Sequence, residues 1–440
     1  MRRFGHLTWT TATAVLLAMS ATGAFAQSAT KQRAAVGKDA EIRELEDRVR
    51  TLEKKLDTQQ QTTTTEQKSV GERVTAIETQ VREQEKSLGK WLGIDLHAFV
   101  DGLYIYNINK PKSRTNGLRV FDVDSNAFEL QQANINVSRM KEDENLGFRV
   151  NLDFGKVAEQ VGRATFWSNN LDSSESRNSV ELREAYLTSR LPFVEGLDLK
   201  AGKFVTLLGA EIINDYSNFN YNISRSFSFG YGIPFTHTGL LAHYTVGDML
   251  AFDAGVVNGW DAVDDNNSGK TFLGGVGITP AEIVSMYFSG TYGAEQTDNG
   301  HSKRGVVTGV FTVKATDAVT LVAEGTYGNE SDLVGPNQDD SALWYGTAGY
   351  VVVKPADAWT LALRGEVFVD SDGVRFASAQ APDGSTAWAF TPTVAFQVTE
   401  GLLWRAEYRH DENNKKVFEN NDAAYWRGQD TLATELIYAF

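Results

Sequence analysis

Along residues 93–440 apolar and polar side chains alternate, one for one, in segment after segment. In Asp95 to Tyr106 the residues Leu96, Ala98, Val100, Tyr104 and Tyr106 share one parity, and Asp95, His97 and Asp101 share the other. Phe148, Val150, Leu152 and Phe154 oppose Arg149, Asn151 and Asp153, and Trp359, Leu361, Leu363 and Val367 oppose Arg364 and Glu366. Leu403, Arg405, Glu407 and Arg409 interrupt this pattern. A period of two is that of a strand with one apolar face and one wet face. It predicts sixteen strands, near 94–106, 127–139, 146–155, 181–189, 197–205, 236–246, 249–258, 271–279, 282–293, 304–314, 318–328, 342–353, 357–369, 386–398, 402–411 and 429–440. The last carries Leu432, Leu436, Tyr438 and the terminal Phe440 on one parity.

The predicted connections alternate in length. Lys141 to Asn145, Arg190 to Gly196, Gly247-Asp248, Pro280-Ala281, Ala315 to Asp317, Lys354 to Ala356 and Thr399 to Gly401 are short. Asn107 to Asn126, Lys156 to Val180, Thr206 to Phe235 and Glu412 to Gly428 are long and fall on the other side. An even number of strands with short turns at one end and long loops at the other describes a bacterial transmembrane β-barrel. The fold class expected is therefore all-β: a transmembrane antiparallel β-barrel of about sixteen strands. A soluble sandwich has no reason to collect its long connections at one end or to lack a free edge.

The first 92 residues read differently. Arg2 and Arg3 precede an apolar run from Ala12 to Met19 and a small-x-small Ala24-Phe25-Ala26, so residues 1–26 are expected to be a secretory signal peptide. Residues 27–92 are expected to form a periplasmic α-helical coiled coil. Ile42, Leu45, Val49, Leu52 and Leu56 make one a/d seam, and Val74, Ile77, Val81, Leu88 and Trp91 make a second. The two frames differ by four residues, a stutter, around the QQQTTTT run at 59–65. A single helix lying against the barrel is the alternative. The barrel then spans 93–440.

Composition narrows the partners. There is no cysteine, and hence neither a disulfide framework nor a thiolate metal site. Beyond the signal no apolar stretch reaches the length of a spanning helix. Residues 93–440 hold 27 Lys+Arg against 45 Asp+Glu, a net charge of −18, which makes nucleic acid an unsuitable partner and favours cations wherever the excess reaches a pore. Thirty-nine glycines and only eight prolines suit curved, uninterrupted strands.

The stretch Gly202 to Gly239, GKFVTLLGAEIINDYSNFNYNISRSFSFGYGIPFTHTG, resembles the OmpL-like beta-barrel porin family, in which an early strand ends in GK and a long loop returns through a PFTHTG-type segment. The resemblance covers about Ile94 to Phe440. It implies an outer-membrane diffusion channel with an inward-folded third loop. Phosphate-selective porins are similar in plan, with an N-terminal coiled coil, but this chain has no dense Arg or Lys ladder, so anion selectivity is not implied.

The expected site follows from these readings. Loop 206–235 is the expected pore constriction, with Glu211, Asp215 and Arg225 setting up a transverse field. Arg149, Asp153, Lys200, Arg364 and Glu366 are expected to line the pore by parity, and His237 to anchor the loop's return. His237 and His243 share a parity but lie about 20 Å apart along an extended strand, too far to share a metal. Ser268-Gly269-Lys270-Thr271 ends like a phosphate loop but lacks the earlier glycine, and neither G-x-S-x-G nor H-E-x-x-H occurs. No catalytic residue, metal, nucleotide or other cofactor is therefore expected. The function expected is passive diffusion of small hydrophilic solutes and ions through a water-filled channel, in a homotrimer held in outer-membrane lipid, with possible peptidoglycan contact through the coiled coil. Two alternatives stay open: a barrel-borne hydrolase, with His97 or His410 as base, and a structural tether between outer membrane and cell wall.

Overall fold

Sixteen antiparallel strands close on themselves in the computed structural model. It describes residues 48, 50, 51, 54, 55, 93–139, 145–164, 180–191, 194, 196–332 and 341–440. The chain divides into two units, Met1–Leu88 and Gly89–Phe440. In the first, the described residues are helical and exposed. The signal peptide and the coiled-coil seams lie outside the described residues.

The second unit is built from β1 (Asp95–Asn107), β2 (Ala127–Arg139), β3 (Leu146–Phe154), β4 (Val180–Arg190), β5 (Leu197–Val205), β6 (Thr236–Val246), β7 (Leu250–Val257) and β8 (Thr271–Ala281). It continues through β9 (Val284–Gly293), β10 (Arg304–Thr316), β11 (Val319–Ser331), β12 (Ser341–Ala356), β13 (Trp359–Asp370), β14 (Ser385–Thr399) and β15 (Leu402–Asn413). A two-stranded hairpin, β16 (Phe418–Glu419) and β17 (Tyr425–Trp426), precedes the last barrel strand, β18 (Gly428–Ala439). A helix, α1 (Lys156–Ala164), follows β3. Each barrel strand pairs with its sequence neighbours, and β18 returns to β1. Phe440 completes the seam, exchanging backbone hydrogen bonds of 2.9 Å with Ala98 in both directions. Closure leaves no ladder edge unpaired, which is the condition for β-structure in hydrocarbon.

The period-two pattern maps onto two surfaces. Leu240, Leu361, Leu363, Val367 and Leu436 point outward and are exposed. Outward aromatic residues gather toward both rims, with Tyr292, Tyr327, Tyr345 and Trp388 at the long-loop end and Trp359, Tyr438 and Phe440 at the short-turn end. Such girdles mark the two membrane interfaces of a barrel. No helix among the described residues is long and apolar enough to cross a membrane, which says nothing of strands.

Gly202, on β5, is a backbone position tightly constrained by the fold. Its φ is +133°, and a Cβ there would run into the carbonyl of Ala185 and the backbone of Tyr186 on β4. The alternation did not disclose α1 or the β16–β17 hairpin, both of which sit inside long connections.

Candidate functional site

The inward face is occupied by loop 206–235, which leaves β5, crosses the lumen and returns to β6. Its course is fixed by hydrogen bonds to the wall. Leu207 O accepts from Ser289 on β9 (3.2 Å) and Gly209 N donates to Thr308 on β10 (3.3 Å). Glu211 then reaches β13, where Arg364 holds it at 2.7 Å. At the far wall Asp215 accepts from Arg183 at 3.1 Å and from Asn151 at 3.2 Å, and pairs closely with Arg149. Tyr216 stacks on His97 of β1 with ring centroids 3.9 Å apart, and Phe219 meets Phe99 edge to face.

The return leg follows the β13–β15 wall. Asn222 donates to Thr393 (2.6 Å), and Ile223 N and Ser224 N donate to the Glu407 carboxylate (2.7 and 3.0 Å). Ser224 O accepts from Arg364 at 2.7 Å, Phe227 N donates to Glu366 at 2.6 Å, and Trp344 donates its indole N–H to Gly232 O at 3.0 Å. A π-helical turn at Ser228–Gly232 places Phe229 inside. His237 then bridges Thr206 Oγ1 at 3.1 Å and Gly259 O at 3.2 Å, joining the two ends of the loop to the connection after β7. In that connection Asp261 accepts from both Phe235 N (2.7 Å) and Thr236 N (2.8 Å), and burial pushes its carboxyl up to about 7.

Apolar contacts reinforce this lacing. Leu208, Ile213, Phe229, Ile233 and Phe235 of the loop pack with Val157 and Val161 of α1 and with inward residues such as Phe204, Leu241 and Val306. Phe227 packs with Trp344, Phe368 and Phe376 on the opposite side. A loop that buries this much apolar surface and pairs its charges with the wall is part of the core, not a free external strand of chain.

The expected site residues are therefore brought together, but in roles that parity could not assign. Asp153, Arg364 and Glu366 point inward and are covered by the loop, so they do not line free lumen. Correcting the expectation of an open transverse field, Glu211 and Arg225 are buried at 4% and 7% exposure; Arg225 donates to the carbonyls of Ile212 and Ile223. The charges are spent inside the protein because a low-dielectric interior makes an unpaired one costly. Arg149 and Lys200 remain partly exposed. Lys200 lies over the ring of Tyr186, 4.5 Å from its centroid.

Several residues of this interior were missed. Arg405 pairs with Glu435 on β18, Arg409 with Asp411 (2.7 Å), and Arg119 of the loop after β1 with Asp411 (2.5 Å). Arg183 lies 3.4 Å from Asp153 and donates to Asn214 O at 2.6 Å. The available signal was the Arg405-x-Glu407-x-Arg409-x-Asp411 series, which alternates at period two and is the inward face of β15. Near the short-turn end His243 and Tyr287 each contact Asp253 at 2.8 Å. Among the described residues no group of three His, Asp or Glu side chains is placed to hold a metal ion.

Inward residues near the short-turn end differ in exposure from one wall to the other. On β5, β6, β9 and β10, Lys200, His243, Tyr287, Val310 and Thr312 are partly exposed. On β12 to β15 and β18, Val352, Ala362, Ala395, Arg405 and Ile437 are buried. Water therefore reaches the β5–β10 wall near the short-turn end, whereas farther along the same wall Leu241, Ser289, Val306 and Thr308 are buried against the loop.

A family model described as "Putative beta-barrel porin-2, OmpL-like" matches residues 93–440. The chain belongs to this family. It is an outer-membrane β-barrel porin, and its barrel is that of a channel protein. Among solved structures it is similar to the outer membrane channel DcaP of Acinetobacter baumannii (TM-score 0.53, 14% identity, 79% of this chain and 97% of that one). It is also similar to Salmonella typhi OmpF in complex with daunomycin (0.53, 12%, 79% and 97%) and to an anion-selective porin from Comamonas acidovorans (0.51, 10%, 79% and 99%). At these identities the likeness speaks for the fold alone. A search of curated proteins gives no match.

Proposed function

We propose that the barrel carries small hydrophilic solutes and ions by passive diffusion past loop 206–235, along a water path that follows the β5–β10 wall at the short-turn end. The observation that carries this reading is the asymmetry of burial near the short-turn end: inward residues of β12–β15 and β18 are buried there, Arg405 against Asn220 of the loop, whereas Lys200, His243 and Tyr287 keep contact with water. The loop thus acts as a constriction by narrowing the lumen at its level, with Glu211 and Asp215 tying it to the wall, Arg225 bracing it from within, and Arg149 and Lys200 facing the remaining passage. Asp153, Arg364 and Glu366 are its wall contacts, and His237 is its anchor.

With its short turns in the periplasm, the usual orientation of such barrels, residues 27–92 hang there as a coiled coil after removal of residues 1–26. Copies joined through that segment give the homotrimer, and its outer face is a candidate contact for peptidoglycan. The chemistry is transport without catalysis or cofactor. An acidic excess of 18 charges over residues 93–440 favours cations.

Reversal potentials in a tenfold KCl gradient test this reading. The expected result is a stable conducting protein with a reversal potential on the cation side; failure to conduct would sink it. A structural plug or tether is favoured by one observation, the apolar clusters that the loop builds across the lumen, and it requires a silent bilayer.

A further inference from the structure

Two arginines at the long-loop end lie against one indole. The Arg304 guanidinium, at the start of β10, is 5.0 Å from the centroid of Trp260, and that of Arg375, in loop 371–384, is 4.7 Å from the same ring. Arg375 also lies over Trp344, at 5.0 Å. The two positive charges are therefore no more than about 10 Å apart, a repulsive arrangement in a barrel that is acidic overall. Burial first, and then the charge of Arg304, push the Arg375 guanidinium down to about 10.

Neither guanidinium is closed off by a carboxylate fork. Arg304 uses Nε on Glu330 at 2.8 Å, and Arg375 uses Nε on Tyr231 O at 2.6 Å. Among the described residues the terminal nitrogens of both have no hydrogen-bond partner. The neighbouring acids are turned to other work. Asp370 accepts from the backbone N–H groups of Val374, Arg375 and Phe376 (3.1, 3.0 and 2.7 Å), and Asp261 from Phe235 and Thr236. Glu295 accepts from Trp260 N and Thr271 Oγ1, both at 2.6 Å. Arg375 is only half-buried, and the Arg304 side chain keeps 17% of its surface.

We propose that Arg304 and Arg375, set against Trp260 and Trp344, form a binding site for a small organic carboxylate at the mouth of the barrel. With the faces of Arg375 against indoles and one edge on Tyr231 O, the remaining edge offers two parallel N–H donors in the plane that a carboxylate fills bidentately. The second charge on Arg304 supplies long-range attraction. The partly exposed rings of Trp260 and Tyr231, the latter backed edge to face by buried Phe376 at 5.0 Å, give the acid's apolar body a surface. A spherical or tetrahedral anion uses only the charge. The inference rests on the channel reading for its purpose, since a carboxylate captured here is concentrated at the entrance.

The test is calorimetric titration of the purified full chain in detergent with sodium benzoate, sodium acetate and inorganic phosphate, beside the variants Arg375→Lys and Arg304→Gln. The expected result is saturable benzoate binding, one per chain, tighter than acetate or phosphate. Arg375→Lys keeps the charge but loses the fork and should weaken it by roughly tenfold. Arg304→Gln should weaken it several-fold and carries the test if the first variant fails to fold. No benzoate binding, phosphate binding more tightly than benzoate, or binding unchanged in folded Arg375→Lys overturns the proposal. KCl conductance of the wild type is recorded in parallel: its absence would remove the diffusion reading and leave the carboxylate site to stand or fall on the titration.

Discussion

Replacing Arg364 by Ala removes the central tie between loop and wall. In the native barrel the Arg364 guanidinium meets Glu211 at 2.7 Å, Ser224 O at 2.7 Å, Ser224 Oγ at 3.1 Å and Glu366 at 3.2 Å, and it is fully buried. Its loss leaves Glu211 under the loop with no cationic partner and only Ser226 N donating to it among the described residues, while Glu366 keeps Phe227 N and Arg409. Breaking a buried pair from one side costs about 3–5 kcal/mol because the remaining charge is left uncompensated. If that cost falls on loop docking, the ratio of released to docked loop rises by roughly two to three and a half powers of ten. Single-channel recording in a planar bilayer reads the change directly. Arg364→Ala is expected to show larger, noisier steps than wild type, as the cleared side of the lumen fills with water. The double variant Arg364→Met with Glu211→Gln, which leaves only Glu366 with its partners Phe227 N and Arg409, should recover most of the quiet, smaller conductance. Identical conductance in wild type and Arg364→Ala, with the variant inserted and folded, would refute the claim that ion pairing holds the loop.

Three further outcomes follow from other parts of the molecule. Asp261 has an ordinary carboxyl value of 3.8 and is raised to about 7 in the folded barrel, so the folded state binds the extra proton between these values. Its contribution to stability is full below about 4 and is lost as pH rises through 7; denaturation midpoints should fall across that window in wild type and flatten there in Asp261→Asn, which keeps an acceptor for Phe235 and Thr236. Trp344→Ala removes a fully buried indole and its bond to Gly232 O, and should lower stability by about 3–5 kcal/mol in urea titrations of the reconstituted barrel. Leu363→Arg puts a charge on the outward face of β13 and should cost about 2–4 kcal/mol if that position meets the middle of the bilayer; no effect would place it at an interface.

The strands were legible because an outward residue meets lipid and an inward one does not, wherever along the barrel it sits. That single condition marks β2, β5 and β6 at the bounds expected, 127–139, 197–205 and 236–246. It fails to distinguish an inward side chain that meets water from one that meets a loop. Arg364 and Lys200 have the same parity signal, yet one is sealed and the other is not, because only the first lies under Ser224 and Glu211. Likewise Leu103 and Ile105 point inward from β1 against Ile223 of the loop, so apolar residues appear on the nominally wet face. The Arg405 to Asp411 series looked irregular for the same reason: it is a ladder of loop contacts, not of pore charges. Local pattern reports the layer a residue faces, and the content of that layer depends on a loop far away in sequence. The helix α1 escaped notice because its nine residues begin a connection whose length alone pointed to loop.

The absence of cysteine allows one engineered thiol at a time to report water access. Lys200→Cys and Thr312→Cys on the β5–β10 side, and Thr391→Cys and Ala395→Cys on β14, can be exposed to a charged methanethiosulfonate reagent during bilayer recording. An off-centre path predicts that the first pair reacts quickly with a stepwise drop in current and that the second pair stays unmodified. Equal reaction of both pairs, or reaction of the β14 pair alone, would contradict a lumen sealed on that side by loop 206–235.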